Sequence, residues 1–93
     1  MEIKMNVREK FELSTGVTIL ACSGYNLKFD VIGKKLNLIR GEEVRQIITI
    51  SGENKMLNQK ANFDQKALET NDRVLLSQEE AKSGEWQLIG INF

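Results

Sequence analysis

The sequence predicts an all-β domain, and three observations carry that prediction. Lys34–Ser51, KKLNLIRGEEVRQIITIS, reads as two strands folded back on an Arg40-Gly41-Glu42 turn. In its second arm Val44, Gln46, Ile48 and Ile50 share one face, and Arg45, Ile47, Thr49 and Ser51 the other. That two-residue period, with β-branched residues at most apolar positions, is the signature of a strand. Proline is absent, so turns must rest on Gly, Asn, Asp and Ser, and such turns separate short apolar segments along most of the chain. Six or seven short strands in one small domain, residues 1–93, point to a closed or half-open β-barrel.

The first strand spans roughly Met5–Leu13, where Met5, Val7, Phe11 and Leu13 alternate with polar residues. Glu9 falls on the same face and breaks its apolar run, which predicts an edge or a bulge. Ser14-Thr15-Gly16 is a hairpin turn into Val17–Ser23, a strand apolar on both faces except for Thr18. A loop follows from Ser23 through Asn26, and Leu27–Ile32 leads to Gly33 and the central hairpin. Glu53–Asn71 fits neither period. A helix there would align Met56, Phe63 and Ala67, but Lys60 interrupts the stripe, so the expectation is a long loop touching the core through Phe63 and Leu68.

Asp72–Ser77 reads as a further strand. Ser77 and Glu80 have capping-box spacing and Gly84 sits where a helix ends, so one helical turn is expected over 78–83. Trp86–Phe93 closes the chain as a strand apolar on both faces. With the first and last strands so apolar, barrel closure is the natural way to hide their edges.

Thirteen basic and thirteen acidic residues cancel. Residues 1–46 carry eight Lys/Arg against six Asp/Glu, and 47–93 carry five against seven, so no bulk field favours nucleic acid or membrane. Neither DNA nor a membrane is an expected partner. The single Cys22 cannot form an internal disulfide, the N-terminus lacks the apolar core of a signal peptide, and the longest apolar run is too short to cross a bilayer. These features favour the cytoplasm. The chain is expected as a monomer or weak homo-oligomer.

Four turn motifs, in order, resemble the β-barrel second domain of translational GTPases, the module beside the nucleotide-binding domain in elongation factor Tu and its relatives. They are Phe11-Glu-Leu-Ser-Thr-Gly16-Val-Thr-Ile-Leu, then Gly24 with Phe29-Asp-Val-Ile-Gly33-Lys-Lys-Leu36, then Ala67-Leu-Glu-Thr-Asn71-Asp72-Arg-Val74, and last Ala81-Lys-Ser-Gly84-Glu-Trp-Gln-Leu88. The resemblance covers about residues 8–91. The last two motifs each hold one residue more than the family pattern, the 24–33 loop is longer than usual, and Asn71 replaces a glycine, a mild change because Asn tolerates left-handed backbone. No G-x-x-x-x-G-K-[ST] phosphate loop occurs, so nucleotide hydrolysis is not implied. The resemblance implies only a barrel that contacts RNA or protein.

Histidine is absent, which removes the commonest general base and metal ligand. Cys22, between Ala21 and Ser23 in an apolar strand, reads as a small buried hydrophobe, and one Cys without His does not make a zinc site. Glu42/Glu43 and Glu79/Glu80 are adjacent pairs at turns and read as solvated charges, as do Asp30 and Asp64. No catalytic residue, metal or cofactor is expected. The better candidates are basic: Lys34, Lys35, Arg40 and Arg45 around the central hairpin, with Lys28 nearby and Tyr25 as a stacking surface, could form a local RNA- or protein-binding patch, though Glu42 and Glu43 dilute it. Trp86 reads as core packing. The expected function is a non-enzymatic binding module for a protein or RNA partner. The alternatives are an inhibitor or immunity-type protein acting through residues 53–71 or its last strand, and a barrel holding a small ligand near Trp86.

Overall fold

The computed structural model describes residues 2–24, 31–53 and 66–91. They form seven antiparallel strands and one short helix: β1 (Glu2–Glu12), β2 (Thr18–Ser23), β3 (Lys35–Arg40), β4 (Glu43–Thr49), β5 (Gly52–Glu53), β6 (Lys66–Thr70), α1 (Gln78–Lys82) and β7 (Gln87–Ile91). The strands make one sheet in the order β4-β3-β7-β1-β2-β6-β5. The apolar first and last strands hide their edges by pairing with each other in the middle of that sheet, from Glu2 opposite Ile91 to Asn6 opposite Gln87. The strand pairing does not close: β4 and β5 are its two ends.

The tight turns follow the sequence. Leu13 N–H donates to Val17 O and Gly16 N–H to Leu13 O, closing the first hairpin. In the central hairpin Arg40 faces Glu43 across a two-residue Gly41-Glu42 turn, and Gly41 holds φ at 60°, which the primed hairpin turns demand of their first central residue. Ser77 caps α1 as expected: its hydroxyl accepts from Glu80 N–H while the Glu80 carboxylate accepts from Ser77 N–H.

Two irregularities reset the strand phases. In β1 the register shifts between Val7 and Glu9, so Ile3, Met5 and Val7 point inward but Lys10, not Glu9, takes the next inward position, opposite Leu20. Glu9 therefore marks a bulge rather than an edge, since β1 is flanked by β7 and β2. Phe11 is half-buried. In β4 the register shifts opposite Leu38 and Ile39, where Gln46 and Val44 flank an extra Arg45. Strict alternation grouped Val44 with Ile48 and Ile50; the bulge instead turns Val44 outward.

The inner face is a continuous apolar layer. Met5, Leu88 and Leu38 line up across three strands, Leu36 faces Ile48, and Val7 faces Cys22. All are essentially excluded from water, together with Leu20, Ile50, Leu68 and Trp86. A buried Leu or Ile of this kind stabilises by about 1.5–3 kcal/mol. β2 is covered on both faces, with Ile19 and Leu20 both buried.

Two expectations for the second half need correction. Lys66–Thr70 is a strand, paired with β2 from Thr70 opposite Thr18 to Lys66 opposite Cys22, not the end of a loop. Its Ala67 and Leu68 are buried on opposite faces, so no two-residue period appears in the sequence. Conversely, 72–77 is not a strand. It alternates as one, with Val74 and Leu76 buried and Arg73 and Leu75 exposed, but side chains rather than a backbone ladder hold it. Gln46 Nε2 donates to Arg73 O (2.6 Å), Leu75 N–H donates to Gln46 Oε1 (2.8 Å), and Thr49 N–H donates to Asp72 Oδ2 (2.8 Å). From within the sheet, Lys10 Nζ donates to Leu76 O (2.6 Å) and Val74 O (3.3 Å) and pairs with Glu12 (3.0 Å).

The contact of Phe63 with the core, the loop around Tyr25 and the end of the last strand at Phe93 lie outside the described residues.

Lys10 is the clearest test of this seam. Lys10→Met keeps the apolar stem but leaves two carbonyls without their donor, a loss of about 1–3 kcal/mol. Urea unfolding should show that loss at unchanged m-value, against less than about 0.5 kcal/mol for Lys82→Met on the exposed helix. Equal stabilities for the two variants would mean that Lys10 does not hold residues 74–76.

Candidate functional site

The predicted basic patch divides in two. Tyr25 and Lys28 lie outside the described residues. Lys34 and Lys35 sit at the start of β3, whereas Arg40 is its last residue, about 17 Å of strand away from Lys35. Only Arg40 and Arg45 are brought together, and both cover Trp86.

The Arg45 guanidinium lies 4.2 Å from the indole centroid and that of Arg40 5.3 Å. Trp86 immediately precedes β7 on the inner side of the sheet and is fully buried. The β4 bulge is what allows the approach, because it frees Arg45 from the alternation to lean over the open end of the core. Carboxylates then neutralise both cations. Arg45 Nη1 lies 2.9 Å from each oxygen of Glu80 and Nη2 lies 3.9 Å from Glu43, while Arg40 approaches Glu43 (3.2 Å) and Glu85 (3.9 Å). Arg45 also donates to Leu75 O (3.1 Å). A cation over an aromatic face is worth about 0.5–2 kcal/mol, so the cluster seals one end of the core. Arg45 gives Nη1 to Glu80 and Leu75 and Arg40 gives Nη2 to Glu43, while the Arg40 side chain stays 48% exposed.

Glu80 is held below the ordinary glutamate value, first by the Ser77 N–H and next by Arg45. Cys22 is wholly buried, and burial alone pushes its thiol up to about 12. Among the described residues no group of three or more Cys, Asp or Glu could hold a metal ion, and no helix is long and apolar enough to cross a membrane.

The more open surface is the outer face of β4, β3 and β7. Ile39 stands opposite Val44, and Asn37 stands between Ile47 and Ile89. Val44 and Ile47 are 58% and 59% exposed, and Ile39 and Ile89 are half-buried. The four residues cover three adjacent strands, about 10 Å across. Comparison with family models, curated proteins and solved structures finds no match to this chain. The chemistry of this face must therefore speak through its own residues.

Lys4 lies opposite Ile89 on β1, and Lys35 lies two residues before Asn37, so both belong to the same outer face. Both are exposed and, among the described residues, neither forms an ion pair. Sequence reasoning singled out Lys35 but neither Lys4 nor the apolar patch. A signal for the patch was present in Val44 and Ile47, three residues apart and unable to share a face of a regular strand unless a bulge falls between them.

Two measurements follow from these environments. Because Glu80 ionises more readily folded than unfolded, its contribution is complete above the ordinary value of 4.5 and is lost as pH falls through its lowered folded value. Urea midpoints should drop as pH falls below about 5, and Glu80→Gln should flatten that acid limb; an unchanged slope in the variant would remove Glu80 from the acid response. Cys22 should resist an aromatic disulfide reagent in the native protein and react only at the rate of global unfolding, whereas rapid native labelling would contradict its burial.

Proposed function

We propose that this chain is a non-enzymatic binding module, a half-open barrel of the translation-factor type, that recognises a protein partner through the outer face of β4, β3 and β7. The observation that carries the reading is the apolar group on the outer sheet face, Val44 and Ile47 exposed with half-buried Ile39 and Ile89 beside them, while sixteen other side chains fill the core. Contiguous exposed apolar surface on a small domain is the ordinary mark of a contact site. The barrel reading draws support from the chain passing directly from β4, one end of the sheet, into β5, the other. Across that junction Ser51 N–H donates to Glu69 O (2.7 Å) and the Thr70 hydroxyl to Thr49 O (2.7 Å).

A protein is favoured over RNA by the charges. Net charge is zero, and the two arginines of the expected patch are paired with carboxylates over Trp86. A non-enzymatic role fits a chain without histidine whose one thiol is buried and hard to ionise. A lone reduced cysteine also fits the cytoplasm.

Affinity capture from native lysate, with and without RNase, should be run on the wild-type chain and on Ile47→Asp. A protein recovered in both halves by the wild type, and lost with Ile47→Asp while the fold is kept, supports the reading. Recovery only without RNase, unaffected by Ile47→Asp but abolished by Lys34→Glu/Lys35→Glu, would replace it with RNA binding.

A further inference from the structure

We infer that the partner element for the β4-β3-β7 face is an acidic amphipathic helix, whose apolar stripe covers Ile39, Val44, Ile47 and Ile89 while its carboxylates meet Lys4 and Lys35. This inference rests on the reading of that face as a protein-binding surface and adds the shape and charge of what binds there.

Shape comes first. The patch lies on the face of the sheet, not along its edge, and its width of about 10 Å matches the diameter of one helix with its side chains. An added β-strand would need the free edge of β4. There Thr49 N–H is taken by Asp72 Oδ2, Thr49 O by the Thr70 hydroxyl, and residues 73–75 are tied alongside by Gln46 and Arg45. A helix laid on the sheet is one regular way to bury such a surface, and its diameter matches the patch.

Charge supplies the class. Several cations of the sheet are paired with carboxylates, Lys10 with Glu12, Arg40 with Glu43, Arg45 with Glu80 and Lys66 with Glu53, while Arg8 donates to Ser23 Oγ. Lys4 and Lys35, beside the patch, form no ion pair among the described residues, and among the described side chains of β4, β3, β7 and residues 3–6 the outer face carries no carboxylate. A helix with Glu or Asp beside its apolar stripe supplies the complement.

The test uses two labelled synthetic helices with the same Leu/Ile stripe, one flanked by Glu and the other by Lys, against the full chain. The acidic helix should bind more tightly by roughly threefold to tenfold at low salt, the range expected for two exposed charge pairs, and the margin should shrink as salt rises. Amide and methyl resonances of Ile39, Val44, Ile47 and Ile89 should shift on binding. Lys4→Glu/Lys35→Glu, both exposed positions, should leave thermal unfolding unchanged and reverse the preference. Equal binding of both helices, with shifts confined to the patch and lost in Ile47→Asp, would overturn the acidic assignment while leaving the face as a protein site. Binding of neither helix, or shifts elsewhere, would overturn the helix inference; the capture experiment with Ile47→Asp then decides separately whether the face binds protein at all.

Discussion

Everything in this sheet depends on β7 entering between β1 and β3. Five residues, Gln87–Ile91, join two half-sheets that share no other ladder among the described residues: the β3-β4 hairpin on one side and β1-β2-β6-β5 on the other. Leu88 sits at the join, between Met5 and Leu38, and all three are sealed from water. Contacts between residues more than eighty positions apart carry a large loop-closure cost before they stabilise anything. The inner apolar layer is continuous only because this last strand completes it.

Against that frame the two kinds of cation acquire different meanings. Arg40 and Arg45 lie over Trp86 with Glu43, Glu80 and Glu85 around them, so their charge is spent on closing the end of the core. Lys10 is turned inward by the β1 bulge and holds the carbonyls of Val74 and Leu76. Lys4 and Lys35, by contrast, stand on the outer face beside exposed apolar side chains. Internal pairing thus separates structural from available charge more sharply than position in the sequence does.

How much of this was legible beforehand depended on whether local pattern and pairing agreed. The central hairpin, the Gly16 turn and the Ser77–Glu80 capping box were legible because a turn residue or a cap carries its own geometry. β6 was not, because burial of Ala67 and Leu68 on opposite faces erases the two-residue period. Residues 72–77 misled in the opposite sense: their alternation is real, but alternation reports which side is buried and not which atoms hold the backbone. Glu9 announced an edge or a bulge without saying where the phase would flip, and so concealed the inward turn of Lys10. For the candidate site, Lys35, Arg40 and Arg45 were visible one by one, but Lys4 was not. Their separation into a sealed pair and an open pair required the register.

The seam along β4 has a dynamic corollary. Between Asp72 and Ser77 the chain is fastened by side-chain groups, Gln46, Thr49's amide to Asp72, and Lys10, with no backbone ladder beneath them. A rotamer change in Gln46 is enough to release the Leu75 amide, while release of the amides around Leu88 requires the two half-sheets to part. Hydrogen–deuterium exchange would therefore be graded across the molecule, fast by local opening along the far side of β4 and slow, through global unfolding only, at the β1-β7-β3 join. The domain has a firm middle and one softly buttoned side, and the apolar face proposed for binding spans the distance between them.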